Sequence, residues 1–324
     1  MRNAGPNHSD VIVIGAGGCG LTAGLVAARN GARVLLLEKT DKPGGGTAFS
    51  TKGIRAAGTR FQQVLGIDDS PEQYAQDILR RNGYESDVDL TRRLTETCGP
   101  VANLLADIAG VEFTVGDFAF GHSARRSHSW KADKKITDFL FEAVQREPGI
   151  EVRFSTPVRS IIQSETGAVS GVVTDDESFL VSKIIIASGG FGASPDLLSE
   201  YIPAAVGIPF PGHAGSTGDG IRIGMLLGAA VEHMGAFQPY PAYVGPEKQS
   251  VSPEVAISGG IMVDVHGKRF VDETKYPGGL SAGMLALPDK RAFEIFDERV
   301  YQSHSDLLAS FRADGLLRQA QDSG

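Results

Sequence analysis

Four apolar residues, Val11-Ile12-Val13-Ile14, separate a polar N-terminal stretch from a cluster of glycines. A run this short, apolar throughout and β-branched, reads as a buried strand. Small residues then recur at helical spacing (Ala23, Gly24, Ala27, Ala28) up to Gly31, and a second apolar run, Val34 to Leu37, follows. Strand, glycine turn, helix, strand is the order of a βαβ unit over residues 10–39. Between 70 and 110 the apolar positions Tyr74, Ile78, Leu90, Leu94, Leu104 and Leu105 predict helix, with Glu72, Asp77, Arg80 and Arg81 on a solvated face. Trp130 to Arg146 reads as a further helix, stopped near Pro148-Gly149. Glu151 to Phe154 reads as a strand, and Val158 to Ile162 with Val169 to Thr174 as a small β-layer that turns at Gly167. Ile184 to Ala187 is apolar throughout, the pattern of a buried parallel strand. It runs into Ser188-Gly189-Gly190, at the sheet edge where ligands of doubly wound folds bind. A helix from Ile221 to Leu227 follows Thr217-Gly218-Asp219-Gly220, where Asp219 reads as an N-cap acid worth about 1 kcal/mol. From about Gly235 the chain becomes proline-rich and aromatic (Gln238 to Tyr243), and Ser258 to Val263 with Gly267 to Phe270 reads as strand, tight turn, strand.

The turn after the first strand is Gly15-Ala16-Gly17-Gly18-Cys19-Gly20, a G-x-G-x-x-G in the context that makes it a dinucleotide fingerprint. Gly15 permits the tight turn, Gly17 lets the backbone approach a pyrophosphate, and Gly20 lets helix and strand pack closely. The helix N-terminus offers N–H groups and positive potential to a diphosphate. Glu38, eighteen residues past Gly20, ends the second strand, where a carboxylate can accept hydrogen bonds from ribose hydroxyls and disfavours a 2′-phosphate. The motif alone leaves FAD and NAD open. Directly after Glu38-Lys39 come Gly44, Gly45, Gly46 and Thr47, then Ser50, Thr51 and Gly53. These small residues suggest a second stretch of backbone against the ligand, which the longer FAD would use.

Composition agrees with a globular enzyme of two domains in 324 residues. The 41 glycines come with 41% hydrophobic residues, which suits tight loops around a buried ligand better than disorder. A net charge of −8 without a basic stripe argues against a nucleic-acid partner. Cys19 and Cys98 form no C-x-x-C and no disulfide framework, and Cys19 reads as a small residue at a helix start. The seven histidines show no metal-ligand spacing, so no metal is expected. No apolar run reaches a membrane span, and the expected location is cytoplasmic.

The chain resembles the flavoprotein family of fumarate reductase and succinate dehydrogenase, the FAD-dependent oxidoreductases that include 3-ketosteroid and tricarballylate-type dehydrogenases. The resemblance rests on Val13 to Lys39, Gly44 to Thr47, Ala187-Ser188-Gly189-Gly190-Phe191, Thr217 to Gly220, and Gly267 to Glu273, in the family's order. It implies FAD, a small-molecule substrate, two-electron redox chemistry at a carbon–carbon bond beside a carbonyl or carboxylate, and a capping domain. The expected architecture is α/β: a Rossmann-like FAD-binding domain with a small β-layer over 1–235, and the start of an α+β cap over 236–324. The resemblance carries cofactor contacts onto Gly15 to Gly20, Glu38, Lys39, Gly45, Gly46, Thr47, Ser50, Thr51, Gly53, Val158, Ala187 to Gly190, and Asp219, the last near the flavin.

The match departs from the family where substrate chemistry belongs. Tyr240 stands where fumarate reductases carry a histidine, Pro277 where they carry the proton-donating arginine, and a relay arginine would fall near Ala256. Without a guanidinium a dicarboxylate loses its bidentate clamp, so fumarate reduction is disfavoured. Tyr240 and Tyr276 are the candidate catalytic phenols, each also readable as a packing aromatic. His122, His128 and His213 flank nearby loops and read as surface or core residues. Family members continue past the point matching Gly324, which makes a complementary C-terminal chain an expected partner; the electron donor or acceptor is not legible. Two rivals stay open: an NAD-binding dehydrogenase, and a catalytically incomplete flavoprotein.

Overall fold

Both apolar runs form strands of one parallel sheet. The computed structural model describes residues 9–50, 53–118, 121–131, 134–239, 243–244, 249–250, 254–275, 278–288 and 290–313. Strand β1 (Val11–Ile14), helix α1 (Gly18–Arg29) and strand β2 (Val34–Leu37) make the predicted βαβ unit. The sheet order is Ile184–Ile186, β1, β2, Ile150–Arg153, all parallel. All eight residues of β1 and β2 are buried, and their alternation sorts them between two layers. Val11, Val13 and Leu36 pack with Leu21 and Leu25 of α1 and with Leu140 and Val144 of the helix Ile136–Gln145. Ile12, Ile14, Leu35 and Leu37 pack with Val172 and Phe179 of a three-stranded antiparallel layer, Ser160–Gln163, Val169–Val173 and Ser178–Leu180.

Several elements differ from the sequence expectation. The 70–110 segment is two helices, Pro71–Arg81 and Val88–Ala109. Leu90 and Leu94 are exposed, while Thr91 and Thr95 are buried in their place. Trp130 lies outside the helix expected to start there; its indole N–H donates to the Lys134 carbonyl, and the preceding Ser127–Ser129 is the middle strand of a small sheet. Val158 precedes its strand instead of opening it. Strand Ile261–Val263 pairs with Phe293–Ile295 and meets Arg269 only through a single bridge.

The chain divides into two compact units, Met1–Ala193 with Gly212–Ala230, and Ser194–Pro211 with Val231–Gly324. The second has two small apolar clusters, Val255 with Val300 and Leu308, and Ala256 with Met262 and Leu280. Its buried Glu273 accepts from the Met262 N–H and from Arg269. Glu294, on the outer strand of the pair, is pushed up to about 7 by burial. Among the described residues no helix is long and apolar enough to cross a membrane.

Asp77 is a further correction. Its place on a polar helix face predicted solvation, yet it is buried against Arg126, whose guanidinium is wholly inaccessible. Arg126 also binds Asp69 through Nε and Nη2, at 2.6 Å for the shortest contact, and lies 4.6 Å over the Tyr74 ring centroid. Burial alone would raise the Asp77 carboxyl. Hydrogen bonds from Arg126 and from the Ser123 N–H and hydroxyl outweigh it and hold the group below the usual carboxylate range. Arg126→Ala leaves two buried carboxylates uncompensated and is expected to cost about 3–5 kcal/mol in urea unfolding. Because the folded value of Asp77 is depressed, its stabilisation is present at neutral pH and lost as acidification protonates it. Asp77→Asn should therefore be less stable than the parent near neutrality but decline less steeply below about pH 4.

Candidate cofactor site

Where β1 ends, the chain turns on Gly15 at φ +106, a conformation side chains rarely adopt. A Cβ there would stand 2.6 Å from the Ala187 carbonyl oxygen, at the end of the neighbouring strand. A Cβ on Gly20 would overlap the Gly15 carbonyl oxygen. The protein's own packing therefore requires both glycines. Gly17 differs: its backbone is ordinary (φ −76, ψ −178), and the nearest protein atom to a Cβ would be 3.8 Å away. Gly46 and Gly190 would meet nothing within 4 Å. Neither strain nor packing explains these three bare positions. All three line one cavity of about 500 Å³, which lies within the first unit.

Side-chain and backbone bonds fix the cavity walls. The Gly44 N–H donates to the Ala16 carbonyl at 2.9 Å, with Gly44 at φ +133, and seats the short turn Gly45–Phe49 on the start of α1. There the Gly18 N–H donates to Thr47 Oγ1. Glu38 is buried; Oε2 accepts from the Ala16 N–H at 2.7 Å, and Oε1 from the Thr40 N–H and hydroxyl. Lys39 Nζ reaches a segment 180 positions on, donating to Thr217 Oγ1 at 2.7 Å and Asp219 Oδ2 at 2.6 Å. Burial would raise Asp219, but Lys39 and Thr217 more than offset this and hold it below the usual range. Ser188 Oγ accepts from the Gly220 N–H, and the Gly190 carbonyl from the Gly218 N–H, so the last strand and the Thr217–Gly220 motif are stitched together.

Most of the expected contact residues line this cavity: Gly15, Gly17, Gly18 and exposed Cys19 at the turn, Glu38 and Lys39 at the end of β2. Gly45, Gly46 and Thr47 line it as well, with Val158, Ala187 to Gly190, and Asp219. Ala16 and Gly20 stand behind the wall, bonded to Glu38 and packed on Gly15. Asp219 is not an N-cap: Gly218 caps the helix Asp219–Leu226 and Asp219 is its first residue, its carboxylate turned to Lys39. Ser50 bonds the Thr47 carbonyl and Gly53 lies by Arg55 and His128; neither lines the cavity. Thr51, Tyr240, Tyr276 and Pro277 fall outside the described residues. Sequence reasoning missed Thr156, His213, Gly215 and Ser216 as lining residues. It also took Ile184 to Ala187 as wholly buried, whereas Ile186 is 42% exposed because it faces the cavity.

Residues 10–319 match the family model described as FAD binding domain. The chain belongs to the FAD binding domain family. The family decides between the two dinucleotides: the cofactor is FAD. The NADH:fumarate oxidoreductase of Klebsiella pneumoniae (strain 342) is 33% identical over 98% of this chain and 35% of its own length. The open conformation of a flavocytochrome c3 fumarate reductase superposes with a TM-score of 0.82 at 25% identity, over 94% of this chain and 55% of that one. A 3-ketosteroid-delta4-(5alpha)-dehydrogenase from Rhodococcus jostii RHA1, in complex with 4-androstene-3,17-dione, gives 0.76 at 25% identity over 93% and 68%. The chain thus spans about a third of the first of these relatives and about half of the second. The walls of this FAD-family cavity fit the group: bare backbone at Gly17, Gly46 and Gly190, a helix N-terminus, and a fixed carboxylate.

Because Gly17 is glycine for the ligand and Gly20 for the fold, substitutions should separate the two. Gly17→Val should weaken FAD binding at least about tenfold in a fluorescence-quenching titration while leaving the circular dichroism unchanged. Gly20→Val should lower the melting temperature whether or not FAD is present.

Proposed function

We propose that this chain forms the cofactor-holding part of an FAD-dependent oxidoreductase. Its substrate is a carbon–carbon bond, CH–CH or C=C, next to a carbonyl or carboxylate. The observation that carries this is the cavity whose bare glycines neither strain nor protein packing explains, in a chain of the FAD binding domain family. Relatives that act on fumarate, or hold an enone steroid, support the bond type. Bound flavin supplies two-electron exchange with the substrate carbon. The protein's share is binding, orientation and electrostatics. The start of α1 at Gly17 to Cys19 faces the diphosphate, and Glu38 receives the ribose hydroxyls through the lone pairs that Ala16 and Thr40 leave to it. Lys39 and Asp219 close the adenosine side, because Lys39 directly follows the ribose acid. This moves Asp219 away from the flavin end. In this reading 1–235 holds the cofactor and 236–324 begins the cap. Tyr240 and Tyr276 supply phenols that polarise a carbonyl or hold a proton at the substrate.

The substrate class is argued from the residues at two positions of the second unit. Ala256, near the expected relay arginine, is buried in the apolar cluster with Met262 and Leu280, and Pro277 cannot donate a proton. A monocarboxylic enoate or an enone suits the site better than a dicarboxylate, since a charge-assisted clamp is worth about 1.5–3 kcal/mol. The protein should be loaded with FAD, photoreduced without oxygen, and followed by flavin absorbance as acceptors are added. Enones or monocarboxylic enoates should reoxidise it about tenfold or more faster than fumarate. Fumarate as the fastest acceptor overturns the substrate class. FAD uptake with no reoxidation by any acceptor favours the incomplete-flavoprotein reading.

A further inference from the structure

A diphosphate is a dianion, and the charged side chains lining the cavity among the described residues are Glu38, Lys39 and Asp219. Lys39 is committed to Asp219 and Thr217, so the pair is neutral and the acid Glu38 is left over. The start of α1 contributes about half a positive charge, and its Gly18 N–H is already given to Thr47. The wall therefore brings a net negative side-chain charge to a dianionic ligand. Beside the hydroxyls of Ser188 and Ser216, His213 brings an imidazole with a ring N–H donor to the wall.

Its imidazole has a built position. The ring rests on Phe49, with centroids 6.0 Å apart, in the same short turn that carries Thr47. On the other side it lies against Gly215. A Cβ there would stand 2.5 Å from His213 Cε1, 2.7 Å from Nδ1 and 3.1 Å from Lys39 Cε. Gly215 is not in the left-handed region, so its bareness is explained by the imidazole and the lysine stem it accommodates. Among the described residues neither ring nitrogen makes a hydrogen bond. A half-exposed imidazole fixed in a cavity wall, with its nitrogens available, is arranged to meet a ligand.

We propose that His213 is a cofactor contact that donates from a ring nitrogen to a phosphate oxygen of FAD. This rests on the reading that the diphosphate lies in this cavity. The charged and titratable groups around His213 are Lys39 across Gly215, Asp219 beyond it, Glu38 and Cys19 on the cavity wall, and Lys135, whose Nζ is 5.8 Å from the Phe49 ring centroid.

The test compares the parent with His213→Leu, which keeps the packing on Phe49, and uses FAD, ADP and adenosine in equilibrium titrations. The variant should bind FAD and ADP about tenfold more weakly and adenosine equally well. Equal FAD affinity in the two proteins, or an equal loss for adenosine, overturns the role of His213 while leaving the cavity as the FAD site. Failure of the parent to bind FAD or ADP overturns both readings.

Discussion

The cofactor site depends on three backbone segments approaching with no side chain between them. The turn at Gly15 lies so close to the Ala187 carbonyl, and α1 so close to the Gly15 carbonyl, that a single Cβ at either glycine would force them apart. Those contacts set the start of α1 against the end of the neighbouring strand. The Gly44–Ala16 hydrogen bond then brings a third segment in, and Thr47 reaches Gly18. The cavity is the space these approaches enclose, so its shape is fixed by backbone and is insensitive to most side-chain exchanges around it.

What the sequence made legible was local. Strand, glycine turn, helix, strand and acid all fall within 30 residues, and each signal is carried by the residues that use it. The alternation of β1 and β2 between two layers could be expected from consecutive apolar residues. What it hid was set by distant partners. Asp77 looks solvated on its own helix because Arg126, which buries it, lies 49 residues away. Ser127–Ser129 carries no apolar alternation because buried polar residues surround it. Arg126 is satisfied by two acids, and His128 by Thr59 and the Arg126 carbonyl. A hydrophobic pattern cannot report a strand whose buried side chains are polar.

The same division separates the cavity's residues. Glu38 was found by its spacing from the glycine turn, but the fixing of its carboxylate by Ala16 and Thr40 was not visible. Lys39 and Asp219 were each named from a motif, yet their pairing across 180 positions changes what each does. An unpaired Lys39 would be a free cation for a phosphate; paired, it becomes a strut between the first and last parts of the unit. Asp219, taken alone, is a helix-start acid. Paired, it is drawn away from capping, and the helix is capped by Gly218 in the left-handed region instead.

That pairing also shapes the electrostatics of the whole site. Glu38, Lys39 and Asp219 sum to −1 whether or not Lys39 is paired; the pairing decides instead whether its ammonium is turned to a phosphate. With Lys39 held by Asp219, backbone dipoles, lining hydroxyls and an imidazole remain to meet a dianion. Gly215 fits this account, since it is the absence of its Cβ that lets the imidazole and the Lys39 stem share one side of the cavity. A cofactor site assembled this way binds mainly through preorganised N–H groups in a partly enclosed space, where each is worth more than in water. Affinity then depends on the geometry of the bare glycines first and on side-chain charge second. Removal of charge should grade the binding, whereas a side chain at Gly17 obstructs the approach of the ligand itself.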